Sequence, residues 1–245
     1  MKQGDYKQRF ATKQSVDEYI SVYADEGSYA NLMFEIEREF LQSLPVGGRY
    51  LDFAVGTGRI ITVLEERFEQ SEGIDISDEM VRVATARVTR AVIRQEDITS
   101  VPDTGMRYDL ITAFRFFLNA DSGLRQRILP ILAMRLRDES SMLVLNNHGR
   151  VCSIKFASFF WEKFRAAVLR RPPRQNFLSD TELASLFFAA GLGVRRIHGY
   201  SILGGKVARL LGSPITRRIE RLAAGTLFAR WFGVCRVYIL HRVAT

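Results

Sequence analysis

The sequence predicts an α/β fold with a doubly wound, mostly parallel seven-stranded sheet and helical lid insertions. Short apolar segments alternate with segments of helical periodicity along most of the chain, which is typical of a parallel sheet covered by helices on both faces. A glycine-rich turn follows the first of these apolar segments, at the position where such sheets bind ligands. The chain has 245 residues, of which 47% are hydrophobic and 25% charged. This size and composition suit one globular unit.

The elements of the N-terminal half follow from this periodicity. Apolar residues recur at three- and four-residue spacing over 15–44, and Pro45 and two glycines then predict the end of a helix. The segments that follow are predicted, in order, as strand 50–55, helix 60–67, strand 71–76, helix 78–89 and strand 91–93.

The second half continues the alternation and then departs from it. The predicted elements are strand 108–114, helix 123–136, strand 141–146, helix 154–171, helix 181–190, strand 194–201 and strand 234–243. Ser179 and Glu182 suit a capping box at the start of helix 181–190, and Gly191 suits its end. Between the last two strands, segment 206–230 is basic and has helical periodicity.

Charge is divided unevenly along the chain. The formal net charge is +8, but residues 1–150 carry 19 Lys and Arg against 23 Asp and Glu, whereas residues 151–245 carry 16 against 4. The basic character therefore belongs to the C-terminal part. It favours an acidic partner, which would be a phosphorylated substrate, an anionic membrane surface or a nucleic acid.

The sequence does not predict export or membrane insertion. The first thirty residues lack the pattern of a signal peptide, and the apolar runs are shorter than the roughly 20 residues that span a bilayer. Cys152 and Cys235 match no metal or redox spacing, so we expect buried reduced thiols and no metal site. We expect a cytoplasmic protein, with peripheral membrane contact left open.

The most informative motif is DFAVGTG, from Asp52 to Gly58. Its glycines let the backbone turn sharply against a ligand, and the next helix presents free N–H groups. The motif resembles the first motif of class I S-adenosylmethionine-dependent methyltransferases: an acid, any residue, Gly or Ala, any residue, Gly, any residue, Gly. The resemblance implies that this loop binds the methionine part of S-adenosylmethionine, with Asp52 opposing its ammonium group. Ala54, where the family more often has glycine, is expected to cost little because its methyl group is usually accommodated.

A nicotinamide-dinucleotide site is the main alternative for such a loop. That fingerprint needs a small residue three positions after the second core glycine, where this chain has Ile61. It also avoids a carboxylate such as Asp52 inside the loop, because a pyrophosphate would lie near it. Charge complementarity therefore favours S-adenosylmethionine.

Two later acids resemble the second and third motifs of the same family. Asp75, within GIDIS, resembles the acid that binds the ribose hydroxyls, and Asp97, within QEDI, resembles the acid that binds the adenine amino group. Taken singly, Asp75 could cap the next helix and Asp97 could be a turn residue. The resemblance implies an S-adenosyl-L-methionine site that comprises Asp52, Ala54, Gly56, Gly58, Asp75, Ile76, Asp97, Ile98 and Phe114.

Substrate residues are expected after the fourth and fifth strands, because the enzyme must align the acceptor with the methyl group and remove its proton where needed. Arg115 would bind an anionic acceptor group or pair with an acid of the fold. Asn146 and His148 follow the fifth strand, and His148 would be a general base or a hydrogen-bonded loop residue. We therefore predict Arg115, Asn146 and His148 as catalytic residues. No Asn/Asp-Pro-Pro-aromatic motif follows the fourth strand, which disfavours a nucleic-acid base as acceptor.

The resemblance implies a single methyltransferase domain over 1–245. Its expected parts are an N-terminal helical lid at 15–44 with Tyr19, Tyr23 and Tyr29, a cofactor-binding core at 49–150, and a substrate-side part at 151–245. The last part contains two predicted basic amphipathic helices, within 152–174 and after Lys206, which are lids or contact an anionic lipid surface.

The leading hypothesis for function is O-methylation of a small or lipid-linked anionic molecule, such as a sugar or a secondary metabolite. One alternative keeps the enzyme class but makes RNA or another macromolecule the acceptor, bound through the basic part. The other is a non-catalytic regulator that binds S-adenosylmethionine.

Overall fold

Seven strands form one sheet, as the sequence predicts. The computed structural model describes residues 16, 20–21, 27–45, 47–148, 160–161, 164–165, 167–169 and 178–243. The strands are β1 (Arg49–Phe53), β2 (Gln70–Asp75), β3 (Val92–Gln95), β4 (Leu110–Ala113), β5 (Met142–His148), β6 (Leu192–Tyr200) and β7 (Cys235–Arg242). Their order is β3-β2-β1-β4-β5-β7-β6. β7 is antiparallel to both neighbours and the other pairs are parallel, which confirms the predicted mostly parallel sheet.

Helices connect these strands. Those whose bounds lie within the described ranges are α1 (Tyr29–Gln42), α2 (Ile61–Leu64) with a 3-10 turn at Glu65–Arg67, α3 (Asp78–Thr85), α4 (Phe116–Asn119), α5 (Ser122–Met134), α6 (Asp180–Ala189), α7 (Gly204–Leu211), α8 (Ser213–Ala223) and α9 (Leu227–Phe232). None of these helices is long and apolar enough to cross a membrane.

Apolar layers cover both faces of the sheet. Leu51 and its equivalents on neighbouring strands pack against α5 and α6, whereas Tyr50 and Val144 pack against α1 and α2 on the other face. Successive residues of a strand point to opposite faces. Asp52 and Asn146, each two residues beyond a member of the second layer, therefore lie on the face that α1 covers.

Local signals predicted the ends of α6 correctly. The Ser179 side chain accepts a hydrogen bond from the Glu182 amide while the Glu182 carboxylate accepts one from the Ser179 amide, so the capping box is present. Gly191 follows the helix with a φ of 68°, the left-handed conformation that glycine adopts without strain.

Other predicted bounds differ from the structure. Segment 206–230, predicted to be helical, is divided among three helices, because Gly212, with a φ of 78°, separates α7 from α8 and Gly225, with a φ of 75°, lies between α8 and α9. α1 begins at Tyr29, where the Ser28 side chain caps it, and the described residues 16, 20 and 21 before it are also helical. Most of the predicted helix 154–171, together with Tyr19, Tyr23 and Cys152, lies outside the described residues. Cys235 is buried in β7.

One buried acid anchors the C-terminal helices. Glu220 of α8 is fully buried, and it accepts hydrogen bonds from the Tyr29 hydroxyl at 2.5 Å and from the amides of Ile202 and Leu203 at 3.0 and 2.8 Å. The start of α1, the turn after β6 and α8 are thereby joined. A buried carboxylate is stable only when its hydrogen-bonding capacity is used in this way.

Ion pairs strengthen the contact between α8 and α1. Arg217 lies 2.6 Å and Arg221 lies 3.1 Å from the Glu35 carboxylate, and Arg221 also lies 2.9 Å from Glu39. These two arginines belong to the predicted basic segment after Lys206, and both are therefore paired with acids within the fold. Arg218 is exposed.

The close packing of α9 on β6 requires a glycine at position 199. A Cβ atom at Gly199 would lie 2.2 Å from the carbonyl oxygen of Ala229, so α9 approaches the strand as closely as backbone atoms allow. Ala229 is fully buried in this contact.

We expect Gly199→Ala to lower the free energy of unfolding by about 1–3 kcal/mol or more, the usual cost of overpacking, because the clash is with backbone that cannot rotate away. Gly205→Ala is the matched control, since the nearest atom to its Cβ would be 3.8 Å away. In a helix that change should be neutral or stabilising by up to ~1 kcal/mol. Urea denaturation of both variants checks this, and equal stability would show that α9 can shift.

Candidate functional site

A groove lies at the carboxyl edge of the parallel strands β1, β2 and β4. Two adjoining cavities of about 630 and 440 Å³ form it, and both are lined by Ala54, Asp75 and Ile76. The predicted site residues in the lining of the first cavity are Asp52, Ala54, Gly56, Asp75, Ile76, Phe114 and Arg115. Those in the lining of the second are Ala54, Asp75, Ile76, Asp97 and Ile98.

The loop after β1 has a left-handed backbone at three positions. The φ angles of Ala54, Gly56 and Gly58 are 56°, 55° and 80°. Glycine adopts this region freely, whereas an L-residue pays roughly 1–2 kcal/mol. The sequence prediction that alanine costs little stability at position 54 rests on the space for its methyl group alone. The left-handed backbone angle corrects this prediction. Contacts around the loop must therefore hold its conformation.

Asp52 is a buried acid with one oxygen engaged. Its Oδ1 accepts a hydrogen bond of 2.6 Å from Thr112 Oγ1, and Thr112 in turn accepts one of 2.7 Å from the Tyr50 hydroxyl. Its Oδ2 is buried and accepts no hydrogen bond from the described residues. Burial raises the pKa of Asp52 to about 7, although the Thr112 hydrogen bond, the charge of Arg59 and the nearby Ile61 amide act to lower it. An ammonium group at Oδ2 would satisfy this oxygen and favour the ionised carboxylate.

Asp75 joins the glycine loop to the start of α3. Its Oδ2 accepts a hydrogen bond of 2.9 Å from the Gly56 amide, and its Oδ1 accepts one of 2.9 Å from the Ser77 amide. Each oxygen retains a second lone pair toward the cavities, which suits ribose hydroxyls. Burial raises the pKa of Asp75, opposed by the amides of Ser77, Gly56 and Ile76. The side chain that caps α3 is Ser77, which accepts from the Met80 amide.

Asp97 stabilises a turn, which is one of the two roles considered for it from the sequence, and it also lines the second cavity. Its Oδ1 accepts hydrogen bonds from the amide and the hydroxyl of Thr99, at 3.0 and 2.6 Å. Ile76, Ile98 and Phe116 give the same cavity apolar walls. An acid beside an apolar slot is the arrangement that an adenine ring requires.

A buried ion pair closes the side of the first cavity, and sequence reasoning missed it. Arg59 lines the cavity, lies 2.6 Å from the Glu37 carboxylate of α1 and covers the Phe34 ring at 4.6 Å. Tyr200 at the end of β6 donates a hydrogen bond to Glu37. Burial acts to raise the pKa of Glu37, but the charges of Arg59 and Arg115 hold it below its usual range. Glu37 falls on the apolar side of the predicted helix, a signal that it needs a buried partner.

Arg115 has an unusual backbone that a second predicted residue fixes. Its φ is 64°, and its amide donates a hydrogen bond of 2.7 Å to Asn146 Oδ1. Its carbonyl accepts one of 2.7 Å from Asn119 Nδ2, and Arg115 and Asn119 both line the first cavity. Non-glycine residues held in this region cluster at functional sites. Asn146 is thus a positioning residue.

Gly58, Asn146 and His148 are absent from the lining of both cavities. A Cβ at Gly58 would lie 3.2 Å from Ala84, so this glycine allows α3 to pack closely. His148 is the last residue of β5. It points to the same sheet face as Asn146, because the two lie two positions apart in the strand.

Ile61, the residue at which this loop departs from the dinucleotide-binding fingerprint, is fully buried. Its Cδ1 would lie 3.2 Å from a Cβ at Gly73 of β2. The helix after the loop therefore packs on the sheet through Ile61. The glycine that leaves space for this side chain is Gly73 in β2.

The chain is similar to known methyltransferases in part of its sequence and in its fold. Residues 51–138 match a family described as a methyltransferase domain, a range that contains Asp52, Asp75 and Asp97. No curated protein matches the chain in sequence.

Solved structures share the fold over nearly the whole chain. Magnesium protoporphyrin IX methyltransferase from Synechocystis PCC 6803, with bound SAH, is 12% identical with a TM-score of 0.65, covering 98% of each chain. A possible histamine N-methyltransferase from Thermotoga maritima, a SAM-dependent enzyme, is 16% identical with a TM-score of 0.65, covering 98% of this chain and 100% of that one. Mitomycin 7-O-methyltransferase is 14% identical with a TM-score of 0.63, covering 97% of this chain and 60% of that one.

We expect the affinity for S-adenosylhomocysteine to rise with pH and to level off above pH 7. Its ammonium group favours ionised Asp52, whose pKa is about 7 without ligand, so affinity should fall by up to ~tenfold per pH unit below that value. Calorimetric titration from pH 5.5 to 8.5 measures this, with NAD as a ligand that should give no heat. In Asp52→Asn, the change in affinity near pH 7 should disappear. A wild-type affinity independent of pH would place the ammonium group elsewhere.

We expect Asp75→Ala to weaken S-adenosylhomocysteine binding by about 1.5–3 kcal/mol, the usual value of hydrogen bonds to a charged group. Because Asp75 also holds the Gly56 amide, the change should lower the melting temperature of the ligand-free protein as well. The control is Asp78→Ala, which removes an exposed acid three residues away. Unchanged affinity in Asp75→Ala would contradict the ribose contact.

Proposed function

The chain is a class I S-adenosylmethionine-dependent methyltransferase, and on that premise we propose that it methylates a hydroxyl group of an anionic small or lipid-linked acceptor. The acceptor would be a sugar or a secondary metabolite that carries a phosphate or a carboxylate. The observation that carries this proposal is Arg115, a cation held at the carboxyl end of β4 in the lining of the first cavity.

Two asparagines fix the backbone of Arg115. Asn146 accepts from the Arg115 amide and Asn119 donates to its carbonyl, so the peptide groups on both sides of the arginine are held. A guanidinium group with a fixed origin binds carboxylate or phosphate in a defined direction. The acceptor would thereby be aligned, which is the main task in an in-line methyl transfer.

The bound cofactor would supply a methyl group on a sulfonium, and Asp52, Asp75 and Asp97 would hold it. His148 would accept the proton of the acceptor hydroxyl, since it lies on the sheet face shared with Asn146 at the end of β5. Glu37 and Arg59 close the side of the cavity under α1, which would help to exclude water from the reacting groups.

An oxygen acceptor has support from one structural neighbour and from the residues after β4. The name mitomycin 7-O-methyltransferase specifies oxygen as the methylated atom of that enzyme's substrate. In this chain β4 is followed by Phe-Arg-Phe-Phe, without the Asn/Asp-Pro-Pro-aromatic motif of enzymes that methylate amino groups of nucleic-acid bases.

The test is a screen for transfer of labelled methyl groups to hydroxyl compounds that are offered in pairs, with and without a phosphate or carboxylate. We expect the anionic member to be methylated with kcat/KM at least ~tenfold higher, the value of one hydrogen-bonded charge pair. Arg115→Gln should abolish this preference and Arg115→Lys should restore part of it. His148→Ala should lower kcat by about 10²–10⁴-fold, the usual contribution of a general base.

The control is the affinity of each variant for S-adenosylhomocysteine, which should stay near the wild-type value in His148→Ala. Equal turnover of neutral and anionic acceptors would contradict the role of Arg115. Methyl transfer to RNA alone would contradict the small or lipid-linked acceptor.

A further inference from the structure

Three consecutive helices connect the ends of β6 and β7. β6 runs parallel to β1, because each of the strands β5 and β6 is antiparallel to β7. The connection α7–α9 therefore leaves the sheet at its carboxyl edge, which is the edge that carries the cofactor groove. Whatever binds these helices is held on the same side of the molecule as the groove.

Each of the three helices exposes large apolar side chains. Leu210 of α7 is 87% exposed, and Leu222 of α8 and Leu227 of α9 are each 72% exposed. On α9 the rings of Phe228 and Phe232 stack at 4.7 Å. We call the following set the outer face: Leu210, Leu222, Leu227, Phe228, Trp231 and Phe232.

The three helices that form this outer face carry exposed cations and no exposed acid. Residues 204–232 contain six Lys and Arg and a single acid, Glu220, and Glu220 is fully buried. Arg217 and Arg221 are committed to α1. The cations that are exposed on these helices beyond that pair are Lys206, Arg209, Arg218 and Arg230.

We propose that the outer face docks the protein on an anionic lipid bilayer. Exposed leucines and aromatic rings would enter the boundary between headgroups and acyl chains, while the neighbouring Lys and Arg side chains bind lipid phosphates. Trp231 has the ring type that prefers this boundary. A lipid-linked acceptor would then meet the groove at the membrane surface, but docking itself needs no acceptor.

The composition of the outer face favours lipid over two other occupants. A second copy would bring one basic face against another, which costs electrostatic energy in a symmetric dimer. A nucleic acid would use the cations and the aromatic rings for stacking, but it has no use for three leucines that are more than two thirds exposed. Of these three occupants, the anionic bilayer is the one that uses both the aliphatic groups and the charges.

The experiment measures binding of the full chain to vesicles of phosphatidylcholine with and without phosphatidylglycerol. We expect binding to the anionic vesicles only. Replacing Lys206, Arg209 and Arg218 by Gln should weaken it by roughly fivefold per charge. Replacing Leu210, Leu222 and Leu227 by Gln should abolish it at 0.1 M salt, and Leu210→Gln alone should weaken it measurably. In a Trp161→Phe background, Trp231 fluorescence should shift to the blue on vesicle addition.

The matched controls change equivalent groups elsewhere. Phe188→Gln replaces a side chain that is 87% exposed on α6, and Arg90→Gln with Arg127→Gln removes two exposed cations. These variants should bind vesicles like wild type, and all variants should keep wild-type affinity for S-adenosylhomocysteine. Absence of wild-type binding at low salt would overturn the proposal. So would full binding by the leucine variant, or binding of single-stranded RNA or self-association in place of vesicle binding.

Discussion

The Asp75 carboxylate is the contact on which the rest of the site depends. One oxygen accepts from the Gly56 amide and the other from the Ser77 amide, so a single side chain sets the distance between the glycine loop and α3. The loop cannot hold its shape by local preference, because Ala54 pays for a left-handed backbone. Both cavities are lined by Asp75, and their relative position follows from these two hydrogen bonds.

A second buried acid determines how the groove is closed. Glu37 is paired with Arg59 and accepts a hydrogen bond from Tyr200, so it connects α1, the helix after the glycine loop and the end of β6. Leaving such a carboxylate buried without its partners would cost several kcal/mol. The ion pair therefore specifies the position of α1 over the cavity more than it adds stability, and the charge of Arg115 adds to the same network.

The basic excess of the C-terminal part has two physical roles. Some of it is structural, since Arg217 and Arg221 pair with acids of α1 and the buried Arg236 pairs with Asp180. Three other cations, Lys206, Arg209 and Arg218, are exposed on α7 and α8 beside apolar groups, and residues 204–232 contain no exposed acid to balance them. The net charge of the sequence does not distinguish these two roles. The ion pairs seen in the structure show which cations stabilise the fold and which are exposed to a binding partner.

The sequence by itself determined the alternation of strands and helices, the three acidic motifs and the capping box at Ser179, because each depends on residues close together in the chain. Tertiary structure decided what distant segments do to one another. It gave Asp52 its pKa of about 7 through burial, brought Glu37 to Arg59 and Asn146 to Arg115, and divided segment 206–230 at Gly212. These features depend on burial and on contacts across the sheet, and local periodicity carries no information about either.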